Sequence, residues 1–505
     1  MATPTSSPTS PQGDAFHIYD TTLRDGAQQE GLNLSVHDKL VIARHLDDLG
    51  VGFIEGGWPG ANPRDTEFFA RVAKEIQFKN AQFVAFGATR RPNVKAADDE
   101  QVRALIDSKA PIITVVAKSH DLHVDLALKT SLDENLAMVR DVRVAMEAGA
   151  DVAALCDTNG GMLPTEIADV VADALALTGA RVGIHCHNDT GCAIANSLAA
   201  IDAGATHVQG TINGYGERTG NADLVSIIAN LELKYKKPVL PEGNLREAFR
   251  ISHAVAEVTN IAPSPRQPYV GLSAFAHKAG LHASAIKVDP ALYQHTEPEN
   301  VGNDMRMLVS DMAGRASVEL KSQEMGIDLG ANRELVGKVV DRVKELEMRG
   351  YTFEAADASF ELLLREAING EKVRFFTILE WSTNVERRPD SSVISRATVK
   401  IKAREKEFIA AGEGNGPVNA IDNALRKGLE SIYPELSALE LTDYKVRILE
   451  GRQGTSAVTR VLVETSDGEG EWTTVGVHEN VIAASEMALE EAVTYGLLRK
   501  GIKPE

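Results

Sequence analysis

From residue 16 onward the chain alternates short apolar runs with longer stretches whose apolar positions recur at helical spacing. The runs are FHIYDTT, GFIEGGW (52–58), QFVAFGAT (82–89), IITVVAK (112–118), VAALCDT (152–158), VGIHCH (182–187) and HVQGTING (207–214). Between them the pattern predicts helices over 36–49, 65–76, 132–148, 165–177 and 190–203. Ser131 and Glu134 have the spacing of a capping box at the start of the helix over 132–148. In DLGVGFIE, EAGADVAAL and DAGATHVQG a helix reaches a Gly just before the next strand, which suits a helix end. Repeated β-α units predict a parallel sheet with helices outside. Polar, reactive side chains fall at the C-terminal end of nearly every run. That favours an α/β fold of the TIM-barrel type over a doubly wound sheet, and no GxGxxG follows any run.

The strand count is one short. Seven runs are visible where a regular barrel has eight. Between the runs at 112–118 and 152–158 lie only residues 119–151, most of them taken by the helix over 132–148 and its turns. A parallel crossover needs about a dozen residues or more, so a second β-α unit does not fit there. HVDLAL (123–128) could be drawn as a strand, but no crossover helix would precede it. The expectation is a seven-stranded barrel, or one with a gap between those two strands.

Beyond the barrel, residues 223–345 read as largely helical, with a proline-bearing loop (Pro263, Pro265, Pro268) and a connecting region around 335–370. The tail then repeats itself. One unit has strands near 372–382, 393–403 and 406–412 and a helix over 416–431; the other has strands near 443–450, 457–465 and 471–477 and a helix over 480–498. This duplicated βββα pattern carries no catalytic cluster and suggests a regulatory or dimerising domain, with an inert scaffold as the alternative. The expected division is a disordered tail (1–14), a catalytic barrel (15–235), a helical connecting region (236–370) and an allosteric or dimerisation domain (371–505).

Charge and composition narrow the partners. With 53 Lys and Arg against 72 Asp and Glu, the net charge of −19 disfavours nucleic acid as a partner. No run approaches the roughly 20 apolar residues that span a membrane. Cys156, Cys186 and Cys192 cannot form a disulfide framework, which points to a reducing compartment, the cytoplasm. The opening MATPTSSPTSPQGD has no basic residue and no apolar core, so it does not read as a secretory signal.

The chemistry sits at the strand ends. His185 and His187 in GIHCHND are spaced i, i+2 on a strand, so both face one side and Cys186 the other. They are half of a divalent-metal site or, taken alone, a hydrogen-bonded pair of core histidines. Arg24 and Asp25 follow the first strand; Glu217 and Asn221 follow the last, which a closed barrel would place beside the first. One carboxylate, two imidazoles and an amide carbonyl suit Mg, Mn, Co or Zn with positions left for substrate.

DTTLRDGAQ, CDTNGG, HCHND and NGYGERTGNADL resemble the signature segments of the metal-dependent acyl-CoA condensing family that includes 2-isopropylmalate, homocitrate and citramalate synthases. IEGGWPGANPRD and AKSHDLHV are most similar to its citramalate-forming branch, and the tail resembles the family's allosteric dimerisation domain. The resemblance implies Asp25, His185 and His187 as metal ligands, with Asn221 a weaker one. It implies Arg24 as stabiliser of a developing alkoxide, and Thr158 as the hydroxyl that holds the substrate carboxylate. HKAGLHASAI resembles the segment that supplies the catalytic histidine, mapped to His282 rather than His277, with Glu217 to orient it. In the family that histidine comes from a neighbouring subunit, so a homodimer is implied. The expected reaction joins pyruvate and acetyl-CoA, with isoleucine as feedback effector; condensation on a larger 2-oxo acid and a non-catalytic paralogue are the alternatives, and the tail disfavours an acyl-CoA lyase. The resembling synthases carry a further β-α unit after the fourth strand, with an aromatic residue and a Glu facing the metal. This chain has neither. His120 and His123 either line the pocket or stand in a solvated loop.

Overall fold

A computed structural model describes residues 16–147, 151–329, 332–449 and 457–504; the expected tail over 1–14 lies outside them. The chain forms two compact units, one reaching Phe275 and taking in Thr296–Asp304, the other made of Ala276–His295 and Met305 onward.

The first unit is built on a curled parallel sheet. Its strands are β1 (His17–Asp20), β2 (Phe53–Gly57), β3 (Gln82–Ala88), β4 (Ile112–Val116), β5 (Ala153–Asp157), β6 (Val182–Cys186) and β7 (His207–Gly210). Helices α1 (Val36–Leu49), α2 (Pro63–Glu75), α3 (Glu100–Asp107), α4 (Leu132–Glu147), α5 (Pro164–Thr178), α6 (Ala193–Asp202), α7 (Leu224–Leu233) and α8 (Ala248–Thr259) separate or follow them. The sheet order is β4-β3-β2-β1-β7-β6-β5, every pair parallel. First and last strands are therefore neighbours, as in a barrel, while β4 and β5 form the two edges of the sheet among the described residues. The expected gap lies between these two strands.

Alternation sorts the side chains. Ile18, Ile54, Ile184 and Val208 point outward and are buried under the helices. Tyr19, Phe53 and Val84 pack together on the inner face. On β4 the outward Ile113 and Val115 remain 42% and 36% exposed. HVDLAL is not a strand: His123–Leu128 form a π-helical turn that α4 contacts. At the start of α4 the Glu134 amide donates to Ser131 Oγ as expected. The Glu134 carboxylate, however, accepts from Arg90 and the Asn93 amide rather than closing the box. The last predicted strand is shorter than read. It ends at Gly210 and turns through Asn213, whose φ of 59° breaks the extended run.

In the second unit β8 (Ala276–His277) pairs with β9 (Arg306–Met307), among α9 (Gly280–Ile286), α10 (Arg315–Glu324), α11 (Arg333–Met348) and α12 (Asp357–Asn369). Two antiparallel three-stranded sheets follow. The first has β10 (Thr377–Arg387), β11 (Val393–Ala403) and β12 (Lys406–Gly414), then α13 (Pro417–Leu429). The second has β13 (Glu440–Ile448), β14 (Thr459–Ser466) and β15 (Glu471–His478), then α14 (Val481–Arg499). The repeat read from the sequence is thus present, with β10 and β13 displaced by a few residues. Val399 and Ile401 on one central strand, and Val461 and Val463 on the other, are fully buried in a shared core with α13 and α14. No helix among the described residues is long and apolar enough to cross a membrane.

Candidate active site

The C-terminal ends of β1, β6 and β7 deliver the reactive groups. Asp25 follows β1 in a tight turn in which its amide donates to the Thr21 carbonyl at 2.9 Å. His185 lies on β6 and His187 just past it. One ligand atom from each of these three buried residues falls within 4.8 Å of the others. His185 Nε2 is 3.1 Å from Asp25 Oδ2, and His187 Nε2 is 3.7 Å from the same oxygen. Burial alone would raise the Asp25 carboxyl, but the hydrogen bond from His185 and the Arg24 guanidinium hold it well below the usual carboxylate range. Burial, then His185, lowers the His187 imidazole. An ionised carboxylate beside a neutral imidazole is the state that binds a cation.

Asn221 joins them from the loop after β7. Its Nδ2 donates to the Tyr215 carbonyl at 3.0 Å, while Oδ1 is buried and finds no hydrogen-bond partner among the described residues. The loop bends so tightly that a Cβ on Gly216, at φ +154°, would lie 2.2 Å from Asn221 Nδ2. A buried carbonyl oxygen without a donor, beside a carboxylate and two imidazoles, is the donor set a divalent ion takes. Behind the trio, His185 Nδ1 meets Gln209 Oε1 at 3.1 Å, and Gln209 Nε2 meets His207 Nε2 at 3.1 Å. Burial pushes His207 down to about 3, so this network is uncharged at its base. It fixes the His185 ring with Nε2 toward Asp25.

Arg24 is held on three sides. Nε donates to Glu55 Oε1 at 2.5 Å, Nη1 lies 3.2 Å from Asp25 Oδ2, and the guanidinium sits 3.9 Å above the Phe86 ring. Glu55 is fully buried on β2 and also accepts from Tyr19 Oη at 2.5 Å; that oxygen is 2.8 Å from Thr114 Oγ1 on β4. The sequence reading singled out neither Glu55, Tyr19 nor Phe86. The one signal was a charged residue inside the apolar run GFIEGGW.

Other candidates are placed less directly. Thr158 stands exposed at the mouth of β5, its carbonyl accepting from Arg218 Nη2 at 2.8 Å. Glu217 is exposed, with Oε2 3.8 Å from Arg218 Nη1. His282 belongs to the second unit, on α9, stacked on Tyr293 with ring centroids 4.0 Å apart. His120 is exposed and pairs with Asp121, which fits the solvated-loop alternative.

Comparison with known proteins agrees with this architecture. Residues 15–146 and 137–255 match the HMGL-like family, 269–350 the homocitrate synthase post-HMGL domain-like family, and 354–497 the LeuA allosteric (dimerisation) domain. The (R)-citramalate synthase of Streptomyces coelicolor is 65% identical over 529 aligned positions, covering 98% of this chain and 99% of that protein. The (R)-citramalate synthase of Aquifex aeolicus is 47% identical over 521 positions, covering 96% and 98%. A probable 2-isopropylmalate synthase of Methanopyrus kandleri is 30% identical over 95% of this chain. With a β-α sheet, its buried Asp-His-His cluster and a duplicated βββα tail, the chain belongs to the (R)-citramalate synthase family.

Proposed function

We propose that this chain condenses pyruvate with acetyl-CoA and water to give (R)-citramalate and CoA, a step that serves isoleucine biosynthesis. The observation that carries the reading is the buried cluster of Asp25, His185 and His187, in a chain 65% identical to an (R)-citramalate synthase along nearly its whole length. Asp25, His185, His187 and Asn221 Oδ1 would hold a divalent ion, Mg, Mn, Co or Zn. Bound there, it supplies Lewis acidity to the carbonyl of a 2-oxo acid. Arg24, clamped by Glu55 and Phe86, presents a fixed cation to the ketone oxygen as negative charge develops on it. Thr158 binds the pyruvate carboxylate. His282, oriented by Glu217 and delivered from the second copy of a homodimer, takes a proton from the acetyl-CoA methyl group. The methyl carbon then bonds to the ketone carbon, the ketone oxygen gains a proton, and water releases CoA from the thioester.

The LeuA-type tail supports dimerisation and feedback by isoleucine. Calorimetry on the full chain should detect isoleucine; no binding of any branched-chain amino acid would remove the regulatory part. Three free cysteines fit a cytoplasmic setting.

Thiol release from acetyl-CoA with a panel of 2-oxo acids, with and without EDTA, tests the reaction. Pyruvate should be preferred and EDTA should stop turnover; a preference for a larger 2-oxo acid would favour the 2-isopropylmalate synthase type. A second reading, impaired turnover, is favoured by the open sheet between β4 and β5. Loss of an acid or base from that position costs about 10²–10⁴ in rate. Turnover at the usual ~1–10³ s⁻¹ of enzymes would overturn it.

A further inference from the structure

Two independent observations meet at α4. The HMGL-like family matches the chain in two stretches that share residues 137–146, all within this helix. The same ten residues are therefore claimed by both stretches, where a single uninterrupted match would claim them once. The alignment with the Streptomyces coelicolor relative also runs over 529 positions, more than the 505 residues of this chain, so that relative has residues with no counterpart here. In the structure, α4 lies between β4 and β5, the two strands left as unpaired edges.

Solvent reaches the inner face of the sheet at this break. Cys156 is in register with His185, and Ala154 with Gly183, so both side chains face the interior alongside the candidate metal ligand. Both are exposed. Ala154 lies in the same layer as His17 and His207, which are buried at 4% and 5%. Access from the mouth alone would not expose one member of that deep layer and bury the others. The opening is lateral, along the free side of β5. On the outer surface Ile113 and Val115 of β4 stay exposed, as expected where a whole β-α unit is missing.

We infer that α4 is a fusion of two helices left by in-frame loss of one β-α unit, and that the loss gives the candidate metal centre a second, lateral entrance beside Cys156. The entrance fits one β-strand, because each flanking strand offers one unpaired row of backbone donors and acceptors.

Thiol labelling of the folded full-length chain with a small maleimide, mapped by mass spectrometry, tests this independently of turnover. Cys156 should react at least ~10-fold faster than Cys186, which is 1% exposed and reacts only through local opening. Cys156→Ser should remove the fast adduct mapped to residue 156 and leave labelling of the half-exposed Cys192 unchanged. Equal protection of Cys156 and Cys186 would overturn the lateral entrance. A second protein has inserted within 137–146 those residues of the Streptomyces coelicolor relative that align at this point without a counterpart here; finding none there would itself overturn the fused-helix origin. The insertion should protect Cys156 roughly tenfold, as a paired strand covers the opening. Unchanged labelling in a folded insertion protein would overturn the fused-helix origin; should that protein fail to fold, the contrast between Cys156 and Cys186 in the natural chain still decides the lateral entrance, and the place of the relative's unmatched residues decides the origin.

Discussion

Replacing His185 or His187 by Ala should empty the divalent-ion site and abolish turnover while leaving the fold largely intact. Each imidazole meets the Asp25 carboxylate at the strand ends rather than a packed apolar layer. Metal analysis of the purified variants is the check, and full occupancy in both would refute the site. Asp25→Asn should be nearly as damaging, since a neutral amide replaces an anionic ligand. Glu55→Gln tests a residue that acts through another. Losing the charge that pins Arg24 Nε should lower kcat about 10²-fold with little change in KM, because misorientation is felt where charge develops. A kcat unchanged by Glu55→Gln would show that Phe86 and Asp25 suffice to position Arg24. At this scale the histidines were legible because i, i+2 on a strand is a spacing with a geometric meaning. Glu55 was not, since a lone carboxylate in an apolar run has no spacing to read. Its role rests on Arg24 and Tyr19, contacts between strands distant in sequence.

Helix α14 makes the pH response of the second unit predictable. Burial, then repulsion by Glu490, pushes Glu486 up to about 7. Burial also raises Glu491 to about 7, although it accepts a hydrogen bond from Ser359. Carboxyls raised in the fold bind protons more tightly there than in the unfolded chain. Their effect therefore favours the folded state on the acid side, and this is lost as pH rises from the usual carboxylate range through about 7. Thermal unfolding should show a higher midpoint near pH 6 than near pH 8, with the difference reduced in Glu486→Gln. A midpoint independent of pH in both proteins would contradict it. Strand β4 gives a second test. Ile113→Lys should change stability by no more than about 0.5 kcal/mol by denaturant titration, the range for a solvent-facing position; a loss of several kcal/mol would mean a covered strand. Most elements could be read from period and punctuation: α1 matches 36–49, and both βββα units are present. Less visible were ends set by tertiary bonds. Helix α6 starts at Ala193, whose amide donates to Asn188 Oδ1, rather than at 190. The short α3 was missed although its apolar positions fall on one face, because its eight residues follow a polar stretch and span little more than two turns.

Across the whole molecule the sequence's arithmetic located the missing unit, because crossover length is a hard geometric limit that 119–151 cannot meet twice. What arithmetic alone left open was the choice between a smaller closed ring and a gap. That depends on whether β4 and β5 reach each other, and they do not. The pairing of β1 with β7 has a consequence for a broken chain. The β1–β7 ladder joins the segment before 119–131 to the segment after it, and α1 packs on α8 across the same seam. Asn244 Nδ2 adds a bond to the Leu49 carbonyl at 3.2 Å. Among the described residues no strand pairing crosses from β4 to β5, so a single protease nick at 119–131 severs no hydrogen-bonded ladder. The two fragments should co-elute as one particle on gel filtration and separate only in denaturant, and the gene could be divided at that point into two polypeptides that assemble after synthesis.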